Sequence, residues 1–339
     1  MKWYNNHSRI SYWGDSFFWG QSLDYYDFGL SECNPNLTDN PNISGCGHVD
    51  GHYEHTAQYH RTPYQPPNHN GWGDYLKGME RKFWHVHGTG HHFEDSQDYN
   101  RKHSIIGRRA TTQVSKHFGM DWLMNYTNGG CVCNCINGLL TTRFHPERHS
   151  DVMIFLLPPL TRCDNDGHFI REGRVSRGLH LDKCRNWENS SEAYMSPQQE
   201  QDVLEGKSTL QNFPYDEYHQ IFRFIIDYIE RNVQEYRKLE ENKFLQYYYI
   251  GGWDFMFRYC WKRQMENQRD SEVWKTYREH LIPIHHRGVS YDTLHEAMYE
   301  IPNVGIDDEF PINDTHPNQK MHNIIAKSIV KRLEQDKVE

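Results

Sequence analysis

The chain has no long hydrophobic run. No segment approaches the roughly 20 apolar residues that a membrane-spanning helix needs, and the mean hydropathy is -0.93, so no membrane partner is expected. Basic charge is also short: 37 Lys and Arg stand against 46 Asp and Glu, a formal net charge of -9. Nucleic-acid-binding chains show a basic stripe, so no nucleic acid is expected either. The opening residues, MKWYNNHSRISYWGDS, contain no apolar signal core. Cytoplasmic residence is therefore expected, with virion association as the alternative. Eight cysteines are scattered through 339 residues, three of them packed as Cys131, Cys133 and Cys135. That pattern is no disulfide framework, and free thiols in a reducing compartment are expected.

Apolar residues are lean at 36%, and aromatics at 14% compensate, with 22 Tyr, 16 Phe and 10 Trp. An aromatic-heavy core with long polar loops follows. Ile10 to Trp13 reads as a short buried strand that stops at Gly14. Residues 20–100 are rich in Gly, Asn, Pro, His and Tyr with little periodicity, and read as a loop-rich insertion. Ile105, Ile106, Ala110, Val114 and Phe118 have helical spacing, closed by Gly119. Asp121–Tyr126 reads as a second strand, Asn128 to Gly130 as a turn, and Cys135 to Phe144 as a helix. Residues 151–157 (DVMIFLL) are the strongest buried-strand signal, ended by Pro158 and Pro159. Residues 161–212 form a second, polar insertion. A long amphipathic helix over 215–239, a strand over 244–250, helical and loop pieces over 271–300, and a last helix over 318–333 complete the chain.

Strands alternating with helices predict a single α/β domain with a parallel sheet. Ligands of such sheets bind at the carboxyl ends of the strands. Ser16, Gly129 with Gly130, Pro158 with Pro159, and Gly251 with Gly252 all fall at such ends, and His316 falls just before the last helix.

In Gly14-Asp15-Ser16 the glycine allows a tight turn and the serine can open a helix. A serine hydroxyl needs a base before it attacks, and a histidine base needs a carboxylate to orient it. Asp314-Thr315-His316-Pro317-Asn318 supplies both on one loop. Ser16 is thus the candidate nucleophile, His316 the general base and Asp314 the orienting acid.

WGDSFFWG near the N-terminus and NDTHPNQKMHNIIAKSIVKRL near the C-terminus resemble the first and last blocks of SGNH/GDSL hydrolases. NYTNGGCVCNCINGLL and DVMIFLLPPLTR resemble the second block and third strand of SGNH-like proteins from phage and environmental genomes. The matching segments cover about a third of the chain, in family order. The resemblance implies a flavodoxin-like three-layer α/β/α sandwich, no cofactor, and an ester substrate. It also implies an oxyanion hole made by the serine, a glycine N–H and an asparagine, with Gly130 or Gly129 as the glycine. The family's G-x-N-D after the third strand is replaced by LLPPLTRCDND, and Asn134 is the best substitute for its asparagine, with Asn165 weaker. The family's acid lies three residues before the histidine, where this chain has Asn313, so the D-x-H spacing selects Asp314 or leaves a Ser–His dyad.

Each signal has a plainer reading. G-D-S can be a turn or helix cap, Asp314 a turn residue and Asn134 a polar helix position. His48, His52, His55 and His60, and His85, His87, His91 and His92, form two histidine-rich segments that could bind Zn²⁺. But 23 histidines are spread through the chain without H-E-x-x-H, so no metal is assigned. Tyr247 to Tyr249 reads as strand core, and Trp13, Phe17, Phe18 and Trp19 as packing around the nucleophile turn, with stacking on a sugar ring the alternative for Trp19. The expected activity is hydrolysis of a small-molecule or glycan ester. An O-acetyltransferase using the same residues, or a non-catalytic glycan-binding or structural protein on the same scaffold, are the alternatives.

Overall fold

The computed structural model describes residues 9–14, 16–19, 109–126, 151–157, 159–160, 184, 186–187, 190, 193, 195–239, 243–266, 272–305 and 316–336. Four parallel strands form its sheet: β1 (Arg9–Gly14), β2 (Asp121–Tyr126), β3 (Val152–Leu156) and β4 (Gln246–Ile250), in the order β2-β1-β3-β4. Beyond β4, Tyr249 and Leu281 form one further parallel bridge. Every residue of β3 is buried, as are Ile10 to Gly14 of β1, which is why these central strands read as continuous apolar runs rather than alternating ones.

The alternation lies in which face each side chain joins. Ile10 and Tyr12 of β1, Val152, Ile154 and Leu156 of β3, and Tyr248 and Ile250 of β4 pack into one core. Trp13, Met153, Phe155, Tyr247 and Tyr249 pack into the other. Helices cover both faces. On the first lie α2 (Ala110–Phe118), α7 (Leu294–Glu300) and α8 (Gln319–Gln335), and on the second α4 (Tyr215–Arg237), α5 (Phe255–Glu266) and α6 (Glu272–Glu279). The second core is an aromatic lattice in which Phe222 stacks on Trp274 at 3.8 Å and meets Tyr277 edge-on at 5.3 Å. This is how a chain lean in aliphatics fills its interior.

Helix boundaries follow their caps. α4 begins at Tyr215 and α8 ends at Gln335, close to the predicted limits. Helix α3 (Pro197–Leu204) lies within the second insertion. It is held by a capping box in which Ser196 accepts from the Gln199 amide, the Gln199 side chain accepts from the Ser196 amide, and Pro197 opens the first turn. A short hairpin, β5 (Ile284–His286) and β6 (Val289–Tyr291), turns through Arg287 and Gly288, both at positive φ. The predicted first insertion, 20–100, and the predicted helix 135–144 lie outside the described residues. No helix among the described residues is long and apolar enough to cross a membrane.

Candidate active site at the carboxyl edge of the sheet

β2 lies on one side of β1 and β3 on the other, so the strand order reverses between the carboxyl ends of β1 and β3. Such a reversal opens the crevice where parallel α/β sheets bind ligands. β1 ends there at Gly14. A Cβ on Gly14 would stand 3.2 Å from Leu156 Cβ and 3.3 Å from both the Leu156 carbonyl oxygen and the Phe18 ring. Glycine therefore lets the end of β1 lie against the end of β3 while the chain turns into α1 (Ser16–Trp19). Ser16 is the first residue of that helix.

Phe17, the next residue, ties this turn to two distant segments. Its ring is 2% exposed and stacks on Trp253 with centroids 4.2 Å apart and planes 10° apart. It also meets the His316 imidazole at 4.8 Å, tilted by 37°. Trp253 follows the Gly251-Gly252 pair that ends β4, and His316 precedes α8. One aromatic sandwich thus gathers the serine turn, the end of β4 and the histidine loop. Phe18 points into the core beside Tyr12, edge-on at 6.0 Å.

The histidine loop is fixed by Asn318, which is fully buried. Its side-chain oxygen accepts from the Met321 amide at 3.1 Å and so caps α8. Its Nδ2 donates to the carbonyls of Asn303 at 3.1 Å and Gly305 at 3.2 Å. Its own amide donates to the Val304 carbonyl at 2.8 Å, and Pro317 bridges Gly305. His316, 7% exposed, sits two residues before this anchor. Asn318 is thus the residue that holds the loop.

A second buried histidine stands behind the first. His322, in the first turns of α8, is fully buried, and its Nδ1 accepts from the Ala110 amide at 3.3 Å. Accepting at Nδ1 puts the proton on Nε2, which has no hydrogen-bond partner among the described residues. Burial, then the positive Arg109 guanidinium and His316, push His322 down to about 3, so its ring is neutral near pH 7. Arg109, at the start of α2, is itself 1% exposed. Neither His322 nor Arg109 was singled out from the sequence. The sequence places both residues in apolar-patterned segments, and no local motif marks them.

Beyond β4, the glycine pair serves packing. A Cβ on Gly251 would collide with the Asp292 carbonyl oxygen and stand 2.9 Å from Thr293 Cα, and one on Gly252 would stand 2.8 Å from the Phe257 ring. The first amides of α7 close on this pair, Leu294 donating to Gly251 and His295 to Gly252, both at 3.1 Å. A cluster of ionisable side chains follows. His295 Nε2 lies 3.6 Å from Glu200, and Arg258 lies 3.3 Å from Glu300. Burial, aided by Arg258, pushes His295 down to about 3, while burial raises the carboxyls of Glu200 and Glu296. With Tyr299 donating to the Pro197 carbonyl at 2.5 Å, these contacts fasten α3 and α5 to α7.

Of the predicted site residues, the structure brings the Ser16 turn and His316 to one corner of the sheet. Asp314, Gly129, Gly130 and Asn134 lie outside the described residues, as do Asn165 and the two histidine-rich segments. Among the described residues, no group of three or more His, Cys, Asp or Glu is arranged to hold a metal ion. Cys184 and Cys260 are buried thiols outside any disulfide among the described residues, and burial pushes Cys260 well up, which leaves it an unreactive core residue. Comparison with protein-family models, with curated proteins and with solved structures gives no match, so the chemistry of this corner is read from its own residues.

Proposed function

We propose that this chain is a serine-dependent ester hydrolase of the SGNH type, built on a flavodoxin-like sandwich, with Ser16 as nucleophile and His316 as general base. The observation that carries the reading is the Phe17–His316 ring contact at 4.8 Å. It joins the residue after Ser16 to the D-T-H-P histidine at the strand-order reversal, where parallel α/β sheets generally bind ligands. The parallel order β2-β1-β3-β4, extended by the Tyr249–Leu281 bridge, supports the sandwich.

In this mechanism His316 takes the Ser16 hydroxyl proton as the oxygen attacks the ester carbonyl. The tetrahedral oxyanion forms against backbone amides, with Gly129 or Gly130 and Asn134 as the proposed further donors. Each well-placed donor contributes about 3 kcal/mol to the transition state. His316 then gives the proton to the leaving alcohol, leaving an acyl group on Ser16. Water, deprotonated by His316, hydrolyses that intermediate. Asp314 is the proposed orienting acid. Proton transfer by a positioned base contributes roughly 10²–10⁴-fold.

Hydrolysis of p-nitrophenyl acetate by wild type, Ser16→Ala and His316→Ala tests the reading at matched folded protein. Turnover by wild type with loss of most of the rate in both variants supports it. An inactive wild type, or a Ser16→Ala variant that keeps its rate, overturns it.

A further inference from the structure

One side of α8 carries a row of cations. Lys320, Lys327 and Lys331 are spaced by seven and four residues, so on an α-helix they fall within about 40° of one another. Beside them Ser328 accepts from the His285 amide at 2.8 Å and seats β5 on the helix. The β5–β6 turn brings Arg287 to the same place. Arg287, Lys320 and Lys327 all act on the His286 imidazole, and Lys331 acts on His285. Burial first, and these cations second, hold both rings below their ordinary value, and no carboxylate offsets them. The fixed charges of the row are therefore Arg287 and the three lysines.

Nothing among the described residues neutralises this row. Arg287, Lys327 and Lys331 are exposed and form no ion pair there, and Lys320 donates to the Pro302 carbonyl. The carboxylates around it are engaged elsewhere. Glu334 pairs with His117 at 3.0 Å, Asp336 with Arg332 at 3.2 Å, and Asp292 accepts from the Trp261 indole at 3.0 Å. The chain as a whole has a net charge of -9, so four unneutralised cations in one place select an anionic partner.

What borders the row decides the class of anion. Among the described residues β6 pairs with β5 alone, so its outer edge has no strand. Arg287 to Ser290 are exposed, and the apolar Val289 is 50% exposed. A free strand edge takes an extended polypeptide through main-chain hydrogen bonds. Same-side residues of such a strand stand about 7 Å apart, close to the rise of about 6 Å between Lys327 and Lys331. Duplex nucleic acid carries a charge about every 1.7 Å, which the surplus of acid elsewhere on the chain repels. The row also offers no ring for stacking, since Tyr291 packs on the first core. A membrane needs an exposed apolar helix face, and that of α8 is buried. We propose that α8 and the β5–β6 hairpin form a docking surface for an acidic, extended segment of a partner protein. This surface stands independently of the esterase reading.

Fluorescence anisotropy tests this with the full chain and a fluorescein-labelled dodecapeptide of alternating glutamate and valine, at low salt where screening is weak. Saturable binding with a Kd of about 100 μM or tighter is expected. The double variant Lys327→Glu/Lys331→Glu should weaken it at least about tenfold. Both lysines are exposed, so the fold is unaffected, and circular dichroism checks this. Lys238→Glu, beside α4 on the other face of the sheet, should leave binding unchanged. A peptide of alternating glutamate and proline keeps the charge and lacks half the main-chain donors, and should bind at least about fivefold more weakly. No binding at about 1 mM chain overturns the proposal. So does an affinity that the double variant leaves unchanged, a loss as large in Lys238→Glu, or equal affinity for the proline peptide. Tighter binding of oligothymidylate, polygalacturonate or phosphatidylserine vesicles, run alongside, overturns it in favour of that partner.

Discussion

Replacing Phe17 by leucine should weaken both the fold and the proposed chemistry, and by different amounts. The ring is 2% exposed and makes two aromatic contacts, with Trp253 at 4.2 Å and His316 at 4.8 Å. Leucine keeps most of the buried area and loses the ring pairs, each worth about 0.5–1.5 kcal/mol, so Phe17→Leu should cost about 1–3 kcal/mol. Phe17→Ala adds a cavity and should cost about 3–5 kcal/mol. Urea unfolding followed by circular dichroism reads both. The catalytic effect comes through His316, whose ring rests on Phe17. A shift of about 1 Å in a proton-transferring group costs on the order of 100-fold. Phe17→Leu should therefore lower kcat/KM for p-nitrophenyl acetate by roughly 10- to 100-fold at matched folded fraction, with a smaller change in KM. A Phe17→Leu protein within about 0.5 kcal/mol of wild type and at full rate would refute the reasoning.

Asn318→Ala removes the cap of α8 and leaves the Asn303 and Gly305 carbonyls without their donor, and should lower stability by about 2–4 kcal/mol in urea titration. Asn318→Asp restores the cap alone and should recover only part of that loss. Gly251→Ala should cost about 2–4 kcal/mol because backbone blocks its Cβ, whereas Gly288→Ala, at φ +84 with open space around it, should cost about 1 kcal/mol. His322 supplies a pH test. Its folded value is about 3, against about 6.5 unfolded, so only the unfolded chain takes up this proton between those values. Stability should be flat in this respect above pH 6.5 and fall as pH drops toward 3, by roughly 2–3 kcal/mol at pH 4.5. His322→Gln, which retains an acceptor for the Ala110 amide, should lose less stability between pH 7.5 and 4.5 than wild type does.

The sheet was largely legible because burial and strand formation asked for the same residues. β2 spans the predicted 121–126, and β3 loses one residue at each end of the predicted run. The Tyr run over 247–249 is strand core, its rings divided between the two faces. Helix α5 (FMFRYCWKRQME) escaped notice because its first seven residues are all buried, Arg258 among them, so no apolar–polar period marks its start. Helix α3 carried a readable S-P-x-Q capping signal within a segment whose polarity suggested only loops. The β5–β6 hairpin depends on an Arg-Gly turn at positive φ, a weaker sequence signal than Asn-Gly. At the site, local motifs pointed to Ser16 and His316. The contacts of Phe17 with His316 and Trp253 could not be read locally, since β4 and α8 bring those rings together across most of the chain.

The central claim is that Ser16 is an activated nucleophile served by His316, and covalent labelling tests it most directly. The full chain is incubated with a fluorophosphonate, which reacts with activated serines, and analysed by intact mass and peptide mapping. One adduct on the peptide bearing Ser16, absent in Ser16→Ala and formed far more slowly in His316→Ala, is the predicted result. No adduct on folded wild type, or one that maps elsewhere and persists in Ser16→Ala, would contradict the account.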